Sequence, residues 1–108
     1  MELRKVTAII RSRSLKQVEE RLQAMNVKGM SVSNVKGYGE YANFFTHDWQ
    51  VTHSRIEIFT EKSNAERIVH AIMESAHTGM SGDGIIAILP VEKLFRIRTR
   101  AEAVRDDI

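Results

Sequence analysis

Residues 55–89 read RIEIFTEKSNAERIVHAIMESAHTGMSGDGIIAIL, and within this stretch the spacing of apolar residues changes twice. From Arg55 to Thr60 the period is two, with Ile56 and Ile58 facing one way and Glu57 the other, as in a strand with one covered face. Ser63 followed by Glu66 forms a capping-box pair, and Ile68, Val69, Ile72, Met73 and Ala76 behind it recur at helical spacing. The run Thr78-Gly79-Met80-Ser81-Gly82-Asp83-Gly84 turns the chain, with Gly79 suited to a helix C-cap. Ile85 to Leu89 is uninterruptedly apolar, the pattern of a central strand covered on both faces, and Pro90 closes it because proline gives no N–H to a ladder.

Upstream, the same order occurs once more. Leu3 to Ile10 alternates around Val6, Ala8 and Ile10 and reads as a strand. Ser14 with Gln17 is a second capping-box pair, followed by Leu15, Val18, Leu22 and Met25 on one face of a helix that ends near Asn26. Gly29 to Lys36 is a strand with Met30 and Val32 on one side and Ser31 and Ser33 on the other. A short extra strand is expected at Phe95 to Arg98. Strand-helix-strand repeated twice predicts an α+β, ferredoxin-like (βαββαβ) antiparallel sheet with two helices on one face. The other face requires cover, and in so short a chain further copies of itself are the expected cover.

A length of 108 residues supports one domain, 1–108, with a modest core. Sixteen Lys and Arg against fourteen Asp and Glu leave a net charge of +2, too little for a protein that binds nucleic acid through a bulk positive field. The absence of cysteine excludes disulfides, thiol catalysis and cysteine–zinc sites. No apolar run approaches the ~18 residues of a membrane span. The alternation of charged and apolar residues from Glu2 onward is unlike a signal peptide. The expectation is a cytoplasmic protein without direct membrane insertion.

The one long irregular stretch is about 39–54, and connections above about 12–15 residues in a compact domain usually carry function. Tyr41, Phe44, Phe45 and Trp49 fall in it, and they suit either packing or the presentation of aromatic anchors to a partner. His47, Asp48 and His53 are the low-odds candidates for a loop metal site; their spacing fits no tight ligand motif, so no metal is expected. Arg96 and Arg98, two apart on a strand, share a face roughly 6–7 Å apart and can bracket a phosphate chain. The glycines around Asp83 allow successive backbone N–H groups to turn toward an anion.

Taken in order, Gly29-Met30-Ser31-Val32-Ser33-Asn34-Val35-Lys36-Gly37-Tyr38-Gly39, then Arg55-Ile56-Glu57-Ile58, the T-G-x-x-G-D-G run at 78–84 and Arg96-Ile97-Arg98-Thr99 resemble the PII signalling family. The resemblance covers roughly residues 1–39 and 55–100. It implies a homotrimer with an adenine nucleotide (ATP, ADP or AMP) as regulatory ligand in each cleft between subunits, and no prosthetic group. It further implies that Gly82, Asp83 and Gly84 wrap the phosphates, that Arg96 and Arg98 reach them from one side, and that Gly29, Met30 and Ser31 line the adenine and ribose. Glu57 then lies near the adenine, and Gly37 and Gly39 form the base of a long effector loop that signals to a protein target, a membrane transporter being one candidate.

This chain departs from the nitrogen-sensing members in a shorter, different loop. Glu40 and Tyr41 stand where those proteins carry a magnesium-holding glutamine, which argues against 2-oxoglutarate sensing. Ile85 replaces the lysine that follows G-D-G and contacts the γ-phosphate, which should weaken ATP relative to ADP or AMP. A PII-like branch outside the nitrogen-regulating core is the expected placement. The alternative is a CutA-like metal- or ion-tolerance trimer working through the loop. An enzyme is not expected, because no histidine, lysine or second carboxylate is placed beside Asp83 by the sequence. RNA binding is disfavoured by the absence of aromatics from Leu3 to Ile10.

Overall fold

The computed structural model describes residues 1–36 and 52–108. Strand β1 (Leu3–Arg11) leads through a 3-10 turn at Ser12–Ser14 into helix α1 (Leu15–Ala24), followed by β2 (Ser31–Val35). Strand β3 (His53–Glu61) runs directly into α2 (Lys62–Ala76), and β4 (Gly84–Val91) completes a sheet of order β2-β3-β1-β4, antiparallel throughout. A separate hairpin pairs β5 (Phe95–Arg96) with β6 (Ala101–Glu102), and a second 3-10 turn spans Arg105–Asp107. The expected α+β plan of two helices on an antiparallel sheet is therefore present.

The period-two pattern of β1 and β3 decides which sheet face the helices cover. Val6, Ala8 and Ile10 lie beside Ile58, Ile56 and Ser54 in register, and their side chains meet Val18 and Leu22 of α1 and Ala65, Ile68 and Ile72 of α2 in one buried cluster. Burying these aliphatic groups, at ~1.5–3 kcal/mol for each large side chain, is the main term holding the sheet to the helices. The opposite face carries Lys5, Thr7 and Ile9, Arg55 and Glu57, and Ile85, Ala87 and Leu89. Val32 and Ser31 of β2 face as expected, since Val32 pairs with core-facing Ile56 and Ser31 with Glu57.

Several expectations need correction. Neither serine caps its helix: Ser14 is buried and its side chain makes no cap bond, and α2 starts one residue before Ser63 with Glu61 at the cap position. The register of β3 with β1 extends to Glu61 opposite Leu3, so the strand delivers the chain straight into the helix. There the Lys62 N–H donates to Glu2 O at 2.9 Å, so the first orphan donor of α2 is met by the backbone just before β1, not by a side chain. The end of α1 does behave as expected: Asn26 is left-handed at φ 63°, its N–H reaches Gln23 O and the Val27 N–H reaches Leu22 O, a Schellman closure.

β4 is not a central strand. Among the described residues it pairs with β1 alone and forms the edge, with Ile85 48% and Leu89 40% exposed. Pro90 does not close it but lies within it, opposite Arg4, where an edge strand tolerates a missing donor. The apolar run signalled burial on two faces without saying what provides it. β2 is shorter than expected, and β3 begins two residues earlier, which removes His53 and Ser54 from the long connection and buries both. β5 stops at Arg96, and residues 97–100 form a turn closed by the Arg100 N–H on Arg96 O at 2.9 Å. Arg96 and Arg98 therefore do not share a strand face.

Candidate functional site

The residues singled out from sequence fall into two groups. The first surrounds a cleft of about 560 Å³ between the end of α1, the start of β2, the second half of β3, the start of α2 and residues 94–96 and 105–108. Gly29, Met30, Ser31, Glu57 and Arg96 all line it. Gly29 and Met30 lie there because the Schellman closure at Asn26 sends the chain across the end of α1 toward β2. Ser31 sits directly opposite Glu57 on the neighbouring strand. Glu57 receives a hydrogen bond from Lys5 Nζ at 2.7 Å and has Arg55 Nε at 3.6 Å. The Lys5 hydrogen bond lowers its pKa, burial opposes this, and the charges of Lys5 and Arg55 add to the lowering, so it is a carboxylate at neutral pH. Lys28, Arg67 and Arg105 also line the cleft. They belong to no motif, and only their cationic type could have flagged them.

The second group is the turn between α2 and β4. Gly79, Gly82 and Gly84 have φ of 84°, 96° and 108°, a backbone that disfavours side chains. At Gly84 space forbids one as well: a Cβ there would stand 1.8 Å from Ile9 O. Asp83 gathers the loop. One carboxylate oxygen accepts the N–H groups of Thr78 and Gly79, each at 2.9 Å; the other accepts the Thr78 hydroxyl and faces Arg11 Nε at 3.5 Å. Arg11 also donates to Ser81 O. Burial pushes the Asp83 pKa up, but the bonds from Thr78, Gly79 and Arg11 outweigh it and hold the group at about 2. The turn is thus folded around its own anion, leaving Gly82 buried and Ser81 exposed.

His53 approaches this turn rather than a loop metal site. It is buried at the start of β3 with Nε2 3.1 Å from Gly82 O, so Nε2 carries the proton and donates. Among the described residues no group of three or more His, Cys, Asp or Glu is arranged to hold a metal. Gly37, Gly39, Tyr41, Phe44, Phe45, His47, Asp48 and Trp49 lie outside the described residues.

The two groups do not share a cleft. Neither Gly82, Asp83 nor Gly84 lines the space around Arg96, and Arg98 sits exposed in the turn beyond it. Ser31 is on β2 and Gly84 on β4, opposite edges of the sheet, three interstrand spacings or about 14 Å apart across the strands. They are also three register rows apart along them, Ser31 level with Thr7 and Gly84 with Ile10. One chain thus presents two separate features, a cleft lined by charges of both signs at one edge and a glycine turn at the other.

Comparison with known proteins adds to this geometry. The profile of the family described as Nitrogen regulatory protein P-II matches residues 3–101. The P-II protein of Azospirillum brasilense is 36% identical over 105 residues, covering 90% of this chain and 93% of that one. P-II 1 of Methanothermobacter thermautotrophicus is 40% identical over 113 residues, covering 98% and 97%. The P-II homolog of Arabidopsis thaliana is 35% identical over 103 residues, where this chain spans 53% of a longer protein. Among solved structures, Arabidopsis thaliana PII bound to citrate superposes with a TM-score of 0.78 at 33% identity, covering 94% of this chain and 85% of that one.

Proposed function

Because the chain belongs to the Nitrogen regulatory protein P-II family, we propose that this regulatory protein works in the cytoplasm as a homotrimer. In this reading an adenine nucleotide occupies each cleft between neighbouring copies, and occupancy is reported to a protein target through the connection between β2 and β3. The observation that carries the reading is the separation of the two half-sites. Gly82, Asp83 and Gly84 at one edge of the sheet and Gly29, Met30, Ser31, Glu57 and Arg96 at the other can converge on one ligand only if two chains bring opposite edges together.

The chemistry of each half suits its part. The cleft side supplies Arg96 for phosphate oxygens and, from the adjoining turn, Arg98; Glu57 offers a carboxylate to an exocyclic amine. The turn side supplies the backbone around Gly82 and Gly84 at positive φ, in a turn already shaped by Asp83, which takes the Thr78 and Gly79 N–H groups itself. Ile85 follows the turn with no charge for a γ-phosphate, which favours ADP or AMP over ATP. Gly37 and Gly39 couple the nucleotide to the loop, and Tyr41, Phe44, Phe45 and Trp49 anchor the target, a membrane transporter being the favoured class. Among the described residues no helix is long and apolar enough to cross a membrane.

Calorimetric titration of the native protein with ATP, ADP, AMP and cyclic AMP tests the reading, repeated with Arg96→Ala and Arg98→Ala. Saturable binding by at least one nucleotide, weakened about tenfold or more by either substitution, is expected from the loss of a charge-assisted contact. No heat with any of the four would end it.

A further inference from the structure

Residues 104–108 fold back over the cleft that Arg96 lines instead of leaving it. Asp106, Asp107 and Ile108 line the same space as Met30, Ser31 and Glu57. Three contacts hold the segment there. Lys28 Nζ donates to Asp106 O at 3.2 Å, Arg105 Nε donates to Glu61 Oε1 at 2.7 Å, and the Ala103 N–H donates to Leu94 O at 2.8 Å at the segment's root. The carboxylate of Asp107 is itself fixed, with Oδ2 accepting the Val104 N–H at 2.8 Å. Its other oxygen, Oδ1, lies 3.7 Å from Arg96 Nε. Arg96 thus already faces an anion, one carried by the chain and aimed by a backbone bond.

We infer that residues 104–108 are an internal competitor for the cleft, a strap whose Asp107 occupies Arg96 until a polyanionic ligand displaces it. The inference rests on the reading of this cleft as a nucleotide half-site and adds its regulation. An exposed ion pair of this kind is weak, so the strap grades affinity and does not block the site. Its release also frees Lys28, a cation on the cleft rim that the strap engages, so a bound phosphate chain gains a charge partner as the segment leaves.

Two substitutions in the native assembly separate this from simple charge effects. Asp107→Asn keeps an acceptor for Val104 but removes the anion at Arg96. Arg105→Ala unpins the segment from Glu61 while deleting a positive charge beside the cleft. With ADP as titrant at low salt, both variants should bind about threefold tighter than native, and the Asp107→Asn gain should shrink in ~0.5 M salt. General electrostatics predicts the opposite sign for Arg105→Ala, so weaker binding by that variant overturns the strap. Unchanged affinity in Asp107→Asn, with native binding intact, overturns it too and leaves the nucleotide reading standing. No ADP binding by native protein or by either variant would remove the nucleotide reading and the strap with it. Amide hydrogen exchange supplies a second readout: ADP should speed exchange at Val104, and unchanged protection there in the bound protein counts against displacement.

Discussion

Gly84 and Gly29 show how differently one residue type can be constrained. A methyl at Gly84 meets Ile9 O at 1.8 Å on a backbone at φ 108°, whereas one at Gly29 meets nothing within 4 Å. Gly84→Ala should therefore cost at least ~3 kcal/mol or prevent folding, because neither β1 nor β4 can move without breaking the ladder, while Gly29→Ala should stay within ~0.5 kcal/mol. Urea unfolding of the two variants checks this contrast. At Asp83 the sign follows from the direction of its shift. The folded group is held at about 2 against an ordinary 3.8, so its contribution is complete above the ordinary value and is lost as pH falls toward 2. Native protein should lose stability between about pH 5 and pH 2 more steeply than Asp83→Asn, whose side chain does not ionise; parallel profiles would show that the carboxylate does not act as described. The glycines and the aspartate stood out in the sequence as a run, but the partner of that aspartate did not. Arg11 lies 72 residues earlier, and only the β1–β4 pairing brings it to the turn.

At the scale of elements, the sequence was read correctly where period and burial coincide. The strands β1 and β3 and both helices were legible because one face of each meets the core, and their apolar residues repeat at the corresponding spacing. The ends were less legible. Ser63 has the form of a cap, yet α2 begins at Lys62 with Glu61 at the cap position, so Ser63 lies inside the first turn. Ser63→Ala should therefore change stability by less than ~0.5 kcal/mol, against the ~1 kcal/mol expected for a true cap, as thermal unfolding will show. Asn26 is the converse: at φ 63° and exposed, it should gain a few tenths of a kcal/mol from Gly and lose ~1 kcal/mol with Val. The arginine pair was misread for a related reason. Alternation over Phe95 to Arg98 resembles a strand, but the tight turn back to β6 begins at Ile97, so Arg96 enters the cleft and Arg98 does not.

The whole molecule explains what β4 alone leaves unexplained. Ile85 and Leu89 are apolar, lie on the sheet face away from the helices and are largely exposed in the single chain. Burial promised by the periodicity and withheld by the single chain fits the proposed assembly, in which copies cover this face and bring the two sheet edges together. Leu89→Glu tests both needs at once. Leu89 is 40% exposed, so a charge there leaves the core of one chain intact and the circular dichroism spectrum unchanged. In the proposed homotrimer, with this face between copies, desolvating that carboxylate is costly, so the mass by sedimentation should fall from three times 12.3 kDa to 12.3 kDa. Leu89 lines neither the cleft at Arg96 nor the turn at Asp83, so no direct contact with ligand is lost. Nucleotide binding should nevertheless vanish along with assembly, since each monomer retains only two separated halves. A folded Leu89→Glu monomer that binds ADP as tightly as native protein would place the whole site within one chain, and the division of labour between the sheet edges would have to be abandoned.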